Sequence, residues 1–196
     1  VVLEGYAPAS CKTLGMVYLD EFSITGPAAY TIAMAKQKKN FAAITPFSMD
    51  HGAWDLYGGT LNLMRQETAL ACTGNYYARD YACSAPVTPR NGESHLLLCR
   101  VQGARRWYAA GLGRAGKLVI LKNDFGLSTL AECDFDWKRD GTYHLELTCR
   151  GEELTLSVDG KPCLTVRDGA FAYGMFGCGS CAMGRTSFGD MAFREL

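Results

Sequence analysis

Period-two alternation is clearest between Gly141 and Gly160. There Tyr143, Leu145, Leu147 and Cys149 alternate with His144, Glu146 and Thr148, as in a strand with one buried face. After Arg150-Gly151-Glu152-Glu153 the alternation resumes, with Leu154, Leu156 and Val158 against Thr155, Ser157 and Asp159. Asp159-Gly160 supplies the positive φ that a tight hairpin turn requires, and a third run, Cys163 to Val166, follows. Three antiparallel strands with one apolar face do not stand alone in water, so the upstream chain is expected to cover them with a second sheet.

The upstream pattern agrees. Trp54 and Leu56, then Gly58-Gly59, then Leu61 and Leu63 read as a hairpin. Tyr77, Tyr81, Cys83, Ala85 and Val87 read as a strand that breaks at Pro89-Arg90-Asn91-Gly92. His95 to Gln102 places Leu97, Cys99 and Val101 on one side, and Leu98, Arg100 and Gln102 on the other. Trp107 to Leu112 and Lys117 to Lys122 are two further strands, separated by a turn between Gly113 and Gly116. Helical spacing is absent, apart from a candidate turn of helix near Met64 to Leu70. Short strands with Gly-rich turns every ~8–12 residues define a sandwich or barrel. An all-β, two-sheet antiparallel jelly roll is the natural arrangement at this length.

Residues 46–196 are expected to form that sandwich, and residues 1–45 are less regular. Met16 to Thr25 looks like a closing strand and echoes Thr186 to Leu196. It is either the end of an upstream domain or an extra strand of this one. Tyr30 to Ala35 reads as a strand, and Lys36-Gln37-Lys38-Lys39 as a solvated turn.

Composition narrows the function. The 196 residues are 48% hydrophobic, with 20 basic and 20 acidic side chains, so there is no basic excess to drive sequence-independent nucleic-acid binding. No run of about 18 apolar residues suggests a membrane span. The chain starts without Met and without a secretory signal, and is expected to be cut from a longer bacterial, cytoplasmic protein. Its nine cysteines are an odd number, and Cys83, Cys99 and Cys149 fall at strand positions where a reduced thiol packs as a small hydrophobe.

The run Arg100-Val-Gln-Gly-Ala-Arg-Arg-Trp-Tyr-Ala109, the meander of hairpins and the ending Tyr173-Gly-Met-Phe-Gly through Phe193 carry a family resemblance. Over roughly residues 48–196 the chain resembles the concanavalin-A-like, laminin-G-like β-sandwich domains that bacteria append to carbohydrate-active enzymes. More narrowly, it resembles the C-terminal sandwich domains of ADP-ribosylglycohydrolase family proteins. The catalytic domain of that family is helical and binds magnesium through acidic clusters. Nothing in this sequence matches it, so the resemblance implies no hydrolase activity.

Sandwiches of this kind hold a sugar by stacking an aromatic ring on it and bonding its hydroxyls with planar polar groups. Arg100, Gln102 and Trp107 are expected to line one such surface, with Arg105 and Arg106 in the adjoining turn and Lys122, Asn123 and Asp124 at a neighbouring strand end. The bland alternative makes Arg100 and Gln102 a solvated face and Trp107 half-buried. Tyr77 and Arg79 are candidate rim contacts, and Tyr81 a core residue. Trp54, preceded by Asp50 and His51, reads as a core tryptophan rather than a stacking platform.

Glu132-Cys-Asp-Phe-Asp136 is the candidate catalytic motif. Glu132, Asp134 and Asp136 would share one face of a strand, which resembles the alternating acidic strand of jelly-roll glucanases. The last acid is Asp where that family has Glu, and Trp137 to Gly141 ends the run. The bland reading is an exposed strand end. Cys178-Gly-Ser-Cys181 lacks a second pair for zinc and the βαβ setting of a redox motif; it is similar to a papain-type nucleophile run, but Ala182 replaces the expected aromatic. His51, His95 and His144 are scattered. No cofactor is expected, and structural calcium would have only Asp190 and Glu4 as candidate ligands.

The leading expectation is therefore a non-catalytic domain that binds a glycan or other small polar ligand beside a larger parent enzyme. The alternatives are a domain that docks the parent protein without binding sugar, an ADP-ribose binder using Arg100, Arg105, Arg106 and Lys122, and last a glycoside hydrolase.

Overall fold

The structure, a computed structural model, describes residues 26–41, 43–114 and 116–196. The expected strand Met16 to Thr25 and the candidate ligand Glu4 lie outside the described residues. In chain order the strands are β1 (Ala29–Ile32), β2 (Lys39–Asn40), β3 (Ala43–Ile44), β4 (Ser48–Tyr57), β5 (Thr60–Thr73), β6 (Tyr81–Gly92), β7 (His95–Gly103) and β8 (Arg106–Gly113). They continue as β9 (Lys117–Asp124), β10 (Leu127–Asp134), β11 (Tyr143–Arg150), β12 (Glu153–Val158), β13 (Lys161–Arg167), β14 (Met175–Ser180), β15 (Gly184–Phe188) and β16 (Met191–Glu195). Among the described residues the only helical piece is a 3-10 turn, Met34–Lys36.

Two antiparallel layers result. The front layer runs β10-β9-β8-β7-β14-β5, with β4 on the far side of β5. The back layer runs β13-β12-β11-β6, with β16 beside β6 and β1 beside β16. β5 joins them, because Leu61–Leu63 pair with β15 whereas Ala69–Thr73 pair with β14. The architecture is a jelly-roll sandwich, and the β11-β12-β13 meander forms one flank of its back layer. Leu145, Leu147, Cys149, Leu154 and Leu156 all face the inter-sheet core, opposite Leu97, Cys99, Tyr108 and Ile120 of the front layer.

The front layer is apolar on both faces. Leu96, Leu98, Val101, Trp107 and Ala109 form a second buried cluster with Leu70, Cys72 and Leu121. This explains the unbroken Leu96-Leu97-Leu98 run, since a strand buried on both sides loses its alternation. At the centre of that layer, a Cβ on Gly177 would collide with the Ala71 carbonyl of β5, so only glycine permits the close pairing of β14.

Four local expectations are corrected. Met64 to Leu70 is strand, not a turn of helix, because β4 on one side and β14 and β15 on the other hold it in the sheet. Tyr77 lies in a loop, and the strand begins only at Tyr81. Tyr30 to Ala35 is a short strand followed by the 3-10 turn. Val101 joins the second cluster rather than the face of Leu97 and Cys99, because a bulge shifts the register after Cys99.

Candidate functional site

The bulge sits at Arg100, whose φ of +49° is left-handed. It turns the side chain out of the alternating pattern and into the layer where two loops meet. There Nη1 donates to the Phe171 carbonyl at 2.9 Å, Nε and Nη2 donate to the Arg79 carbonyl at 3.3 and 3.2 Å, and Nη2 meets Asp80 Oδ1 at 3.3 Å. The Arg100 backbone N–H donates to the Tyr81 hydroxyl at 2.6 Å, and that hydroxyl lies 3.0 Å from the Met175 carbonyl. Arg100 is 1% exposed and Trp107 0%. The expectation that these two line an open surface with Gln102 is therefore corrected. Arg100 is an internal strut between the 74–80 and 168–174 loops, and Trp107 packs in the second cluster while its Nε1 donates to the Ala104 carbonyl at 3.0 Å.

What the strut supports is open. Tyr76 and Tyr77 project from the first loop and Tyr173 from the second. Ring centroids lie 5.3 Å apart for Tyr76–Tyr77, 5.6 Å for Tyr76–Tyr173 and 6.0 Å for Tyr77–Tyr173. Tyr77 is 73% exposed. Arg79 places its guanidinium 6.0 Å from the Tyr173 ring, and Gln102 Nε2 donates to the Tyr173 carbonyl at 3.0 Å. Local chemistry sets the first loop: Gly74 takes φ +92° to end β5, and Asn75 Oδ1 accepts from the Tyr77 N–H at 2.9 Å. Tyr77, Arg79 and Gln102 are thus brought together. Tyr76 and Tyr173 were not singled out as ligand residues, because only the fold brings positions 76 and 173 into contact.

The remaining basic candidates lie at the same end of the sandwich but are committed to neighbours. Arg105 donates to the Phe125 carbonyl at 2.8 Å and lies over its exposed ring. Arg106 sits 5.0 Å from the Phe171 ring centroid, with Nε 3.3 Å from Asp124 Oδ1 but poorly aligned. Lys122 faces the inter-sheet side and pairs with Asp168 at 2.6 Å, while the Tyr108 hydroxyl donates to the other Asp168 oxygen at 2.5 Å. Burial acts to raise the Asp168 carboxyl, but the Lys122 and Tyr108 hydrogen bonds outweigh it and hold the group below the usual carboxylate range. Burial, then Asp168, pushes the Tyr108 phenol up. Asn123 is half-buried on the Trp107 side, with Oδ1 unpaired among the described residues. With Arg100 inside and Lys122 paired, the expected cationic cradle for ADP-ribose does not form.

Of the acidic run only Glu132 reaches a different feature, a groove of about 730 Å³ on the outer face of the front sheet, bordered also by Lys117, Val119, Leu121 and Thr129. Lys117 stands between the two strand carboxylates, 3.3 Å from Glu132 and 3.1 Å from Asp134. Hydrogen bonds to Asp134 and then Glu132 raise the lysine's pKa. β10 ends at Asp134, so Asp136 does not share the strand face as expected; it pairs with Lys138. One lysine thus occupies both strand carboxylates and Asp136 lies off the strand face, so the facing pair of free carboxyl groups that glycoside hydrolysis uses is not assembled here.

The other motifs are structural. Cys178 is buried in the inter-sheet core, and the Cys181 N–H donates to Ser94 Oγ at 2.9 Å. Trp54 is a core residue whose Nε1 donates to the His51 carbonyl at 2.9 Å. Asp190 accepts from the Met34 N–H at 2.8 Å, and among the described residues no group of acidic, His or Cys side chains converges to hold a metal ion.

No family model matches the sequence, and no curated protein matches it. Solved structures do match. The carbohydrate-binding module CBM66 from Bacillus subtilis superimposes with a TM-score of 0.70 at 18% identity, covering 77% of this chain and 96% of that one. The calcium-bound exoplasmic/lumenal domain of VIP36 gives 0.62 at 13% identity, covering 85% and 90%. The catalytic domain of an endo-1,3-beta-glucanase (laminarinase) from Thermotoga petrophila gives 0.59 at 7% identity, covering 88% and 99%. Identities this low define the fold: a concanavalin-A-like jelly roll, shared by a carbohydrate-binding module and a glucanase.

Proposed function

We propose that the chain is a non-catalytic carbohydrate-binding module that grips a sugar on the tyrosine shelf of Tyr76, Tyr77 and Tyr173, beside Arg79 and Gln102. The observation that carries this reading is three converging rings at an open end of the sandwich, one of them with most of its surface in solvent. Exposed aromatic rings cost hydration free energy unless a ligand face covers them, and the apolar face of a pyranose fits that need. Arg79 has no carboxylate partner among the described residues, which leaves its donors for sugar hydroxyls. The CBM66 and mannose-bound VIP36 structures lend support from fold, since both proteins bind carbohydrate on this architecture. A preformed shelf of this size gives weak affinity, on the order of micromolar to millimolar, suited to holding a parent enzyme near its substrate.

The test is a neutral-glycan array followed by calorimetry on any hit. Tyr77→Ala should weaken binding about ten-fold, the worth of one stacked ring, with the thermal unfolding midpoint unchanged. Equal affinity in the variant, or silence across the array, would overturn the proposal.

A further inference from the structure

The opposite end of the sandwich carries a second pocket, of about 360 Å³, lined by three arginines and a single carboxylate. Arg90 comes from the end of β6, Arg139 from the 135–142 loop and Arg185 from β15; the carboxylate is Asp140. Two of the three guanidiniums are held in advance through Nε, Arg90 by a buried relay and Arg185 by a backbone carbonyl. Arg90 Nε donates to Ser187 Oγ at 3.1 Å, Ser187 donates to Asn62 Oδ1 at 2.7 Å, and Asn62 Nδ2 donates to the Thr60 carbonyl at 2.9 Å. Asn62 and Ser187 are both buried, so this relay is fixed by the core. Asp140 occupies only Nη1 of Arg90, at 3.1 Å, and stands 3.7 Å from Arg139 Nε. Arg185 is anchored by Nε to the Met64 carbonyl at 3.1 Å, which leaves its terminal nitrogens free of any described partner. Tyr57, at the tip of the β4–β5 hairpin, exposes its ring at the pocket edge.

We infer that this pocket takes the oxyanion of an acidic sugar residue, the carboxylate of a uronic acid or a sulfate ester, with Tyr57 against the ring. A chain of zero net formal charge has concentrated three forked cations around one carboxylate here, and fork geometry matches a planar or tetrahedral oxyanion through paired N–H donors. The relay behind Arg90 lowers the ordering cost of that contact. The saccharide part of the inference rests on the carbohydrate-binding reading above; the oxyanion part does not.

The experiment is a backbone-amide NMR titration of the whole chain with four probes: tetragalacturonate, a sulfated galactan oligomer, a neutral galactan oligomer and inorganic sulfate. At least one acidic oligomer should shift the amides of Asn91, Asp140 and Arg185. Its affinity should fall ten-fold or more in the Arg139→Ala/Arg185→Ala double variant, and should weaken as salt is raised. The two charged arms tell the carboxylate from the sulfate ester. Acidic oligomers that shift only Tyr76 and Tyr77, or that bind the double variant as they bind wild type, would overturn the inference. Inorganic sulfate shifting the pocket amides as strongly as the oligomers would overturn its saccharide part. The neutral oligomer reports separately on the tyrosine shelf, so failure there is distinguishable from failure here.

Discussion

The two ends of this sandwich use arginine in opposite ways. At the tyrosine end Arg100 is sealed inside and spends its donors on carbonyls of two loops, and the aromatic rings take the surface. At the other end Arg139 and Arg185 stay exposed around a pocket, and a single tyrosine stands at its edge. The difference is one of backbone, not of side-chain chemistry. A positive φ in a bulged strand rotates Arg100 inward, whereas Arg139 and Arg185 leave from a loop and a strand end where nothing covers them. Residue type alone therefore says little about which cation is available to a ligand.

The sharpest way to test that contrast is to truncate an arginine at each end. Arg100→Ala strands the carbonyls of Arg79 and Phe171 and should cost about 3 kcal/mol of unfolding free energy in urea. Arg185→Ala should stay within about 0.5 kcal/mol, as an exposed group does. Equal costs would erase the distinction.

The arginine end should also be the acid-sensitive one. His95 is fully buried there, with Nδ1 2.7 Å from Thr186 Oγ1 and its ring edge-on to Trp137. Burial lowers its pKa from 6.5 to about 4, so the unfolded chain takes the proton more readily than the fold. This group's contribution is complete above pH 6.5, declines as pH falls, and is exhausted near pH 4, a loss of about 3 kcal/mol. Urea unfolding at several pH values between 7 and 4 should show a flatter profile for His95→Gln than for wild type. The smallest effect is expected at the groove. Lys117→Ala breaks two ion pairs that solvent screens and should leave the urea unfolding midpoint unchanged.

Much of the fold was legible because period-two burial is a local signal. Tyr143 to Val158 alternated as the back layer does, and the Gly58-Gly59 turn marked the β4–β5 hairpin. The site was legible only in pieces. Strict alternation put Arg100 beside Gln102 on an outer face, and a single left-handed residue undid it without any Gly, Asn or Asp to announce the bulge. Trp107 looked half-exposed because no local pattern shows that the front layer is buried on both faces. Tyr76 and Tyr173 meet only through loop docking, and the arginine pocket draws on residues 90, 139 and 185, which are remote in sequence.

β5 begins beside Asn62 and Tyr57 and ends one residue before the loop that bears Tyr76. Its 14 residues, at ~3.3 Å each, would reach roughly 45 Å if fully extended, and the register break between Arg65 and Leu70 makes the distance between the two ends shorter than that. A short oligosaccharide cannot reach across that span, so occupants of the two ends would belong to separate polymers or to distant stretches of one. A module built on such a spacer would cross-link its ligands and gain in avidity on a dense matrix what each grip lacks alone.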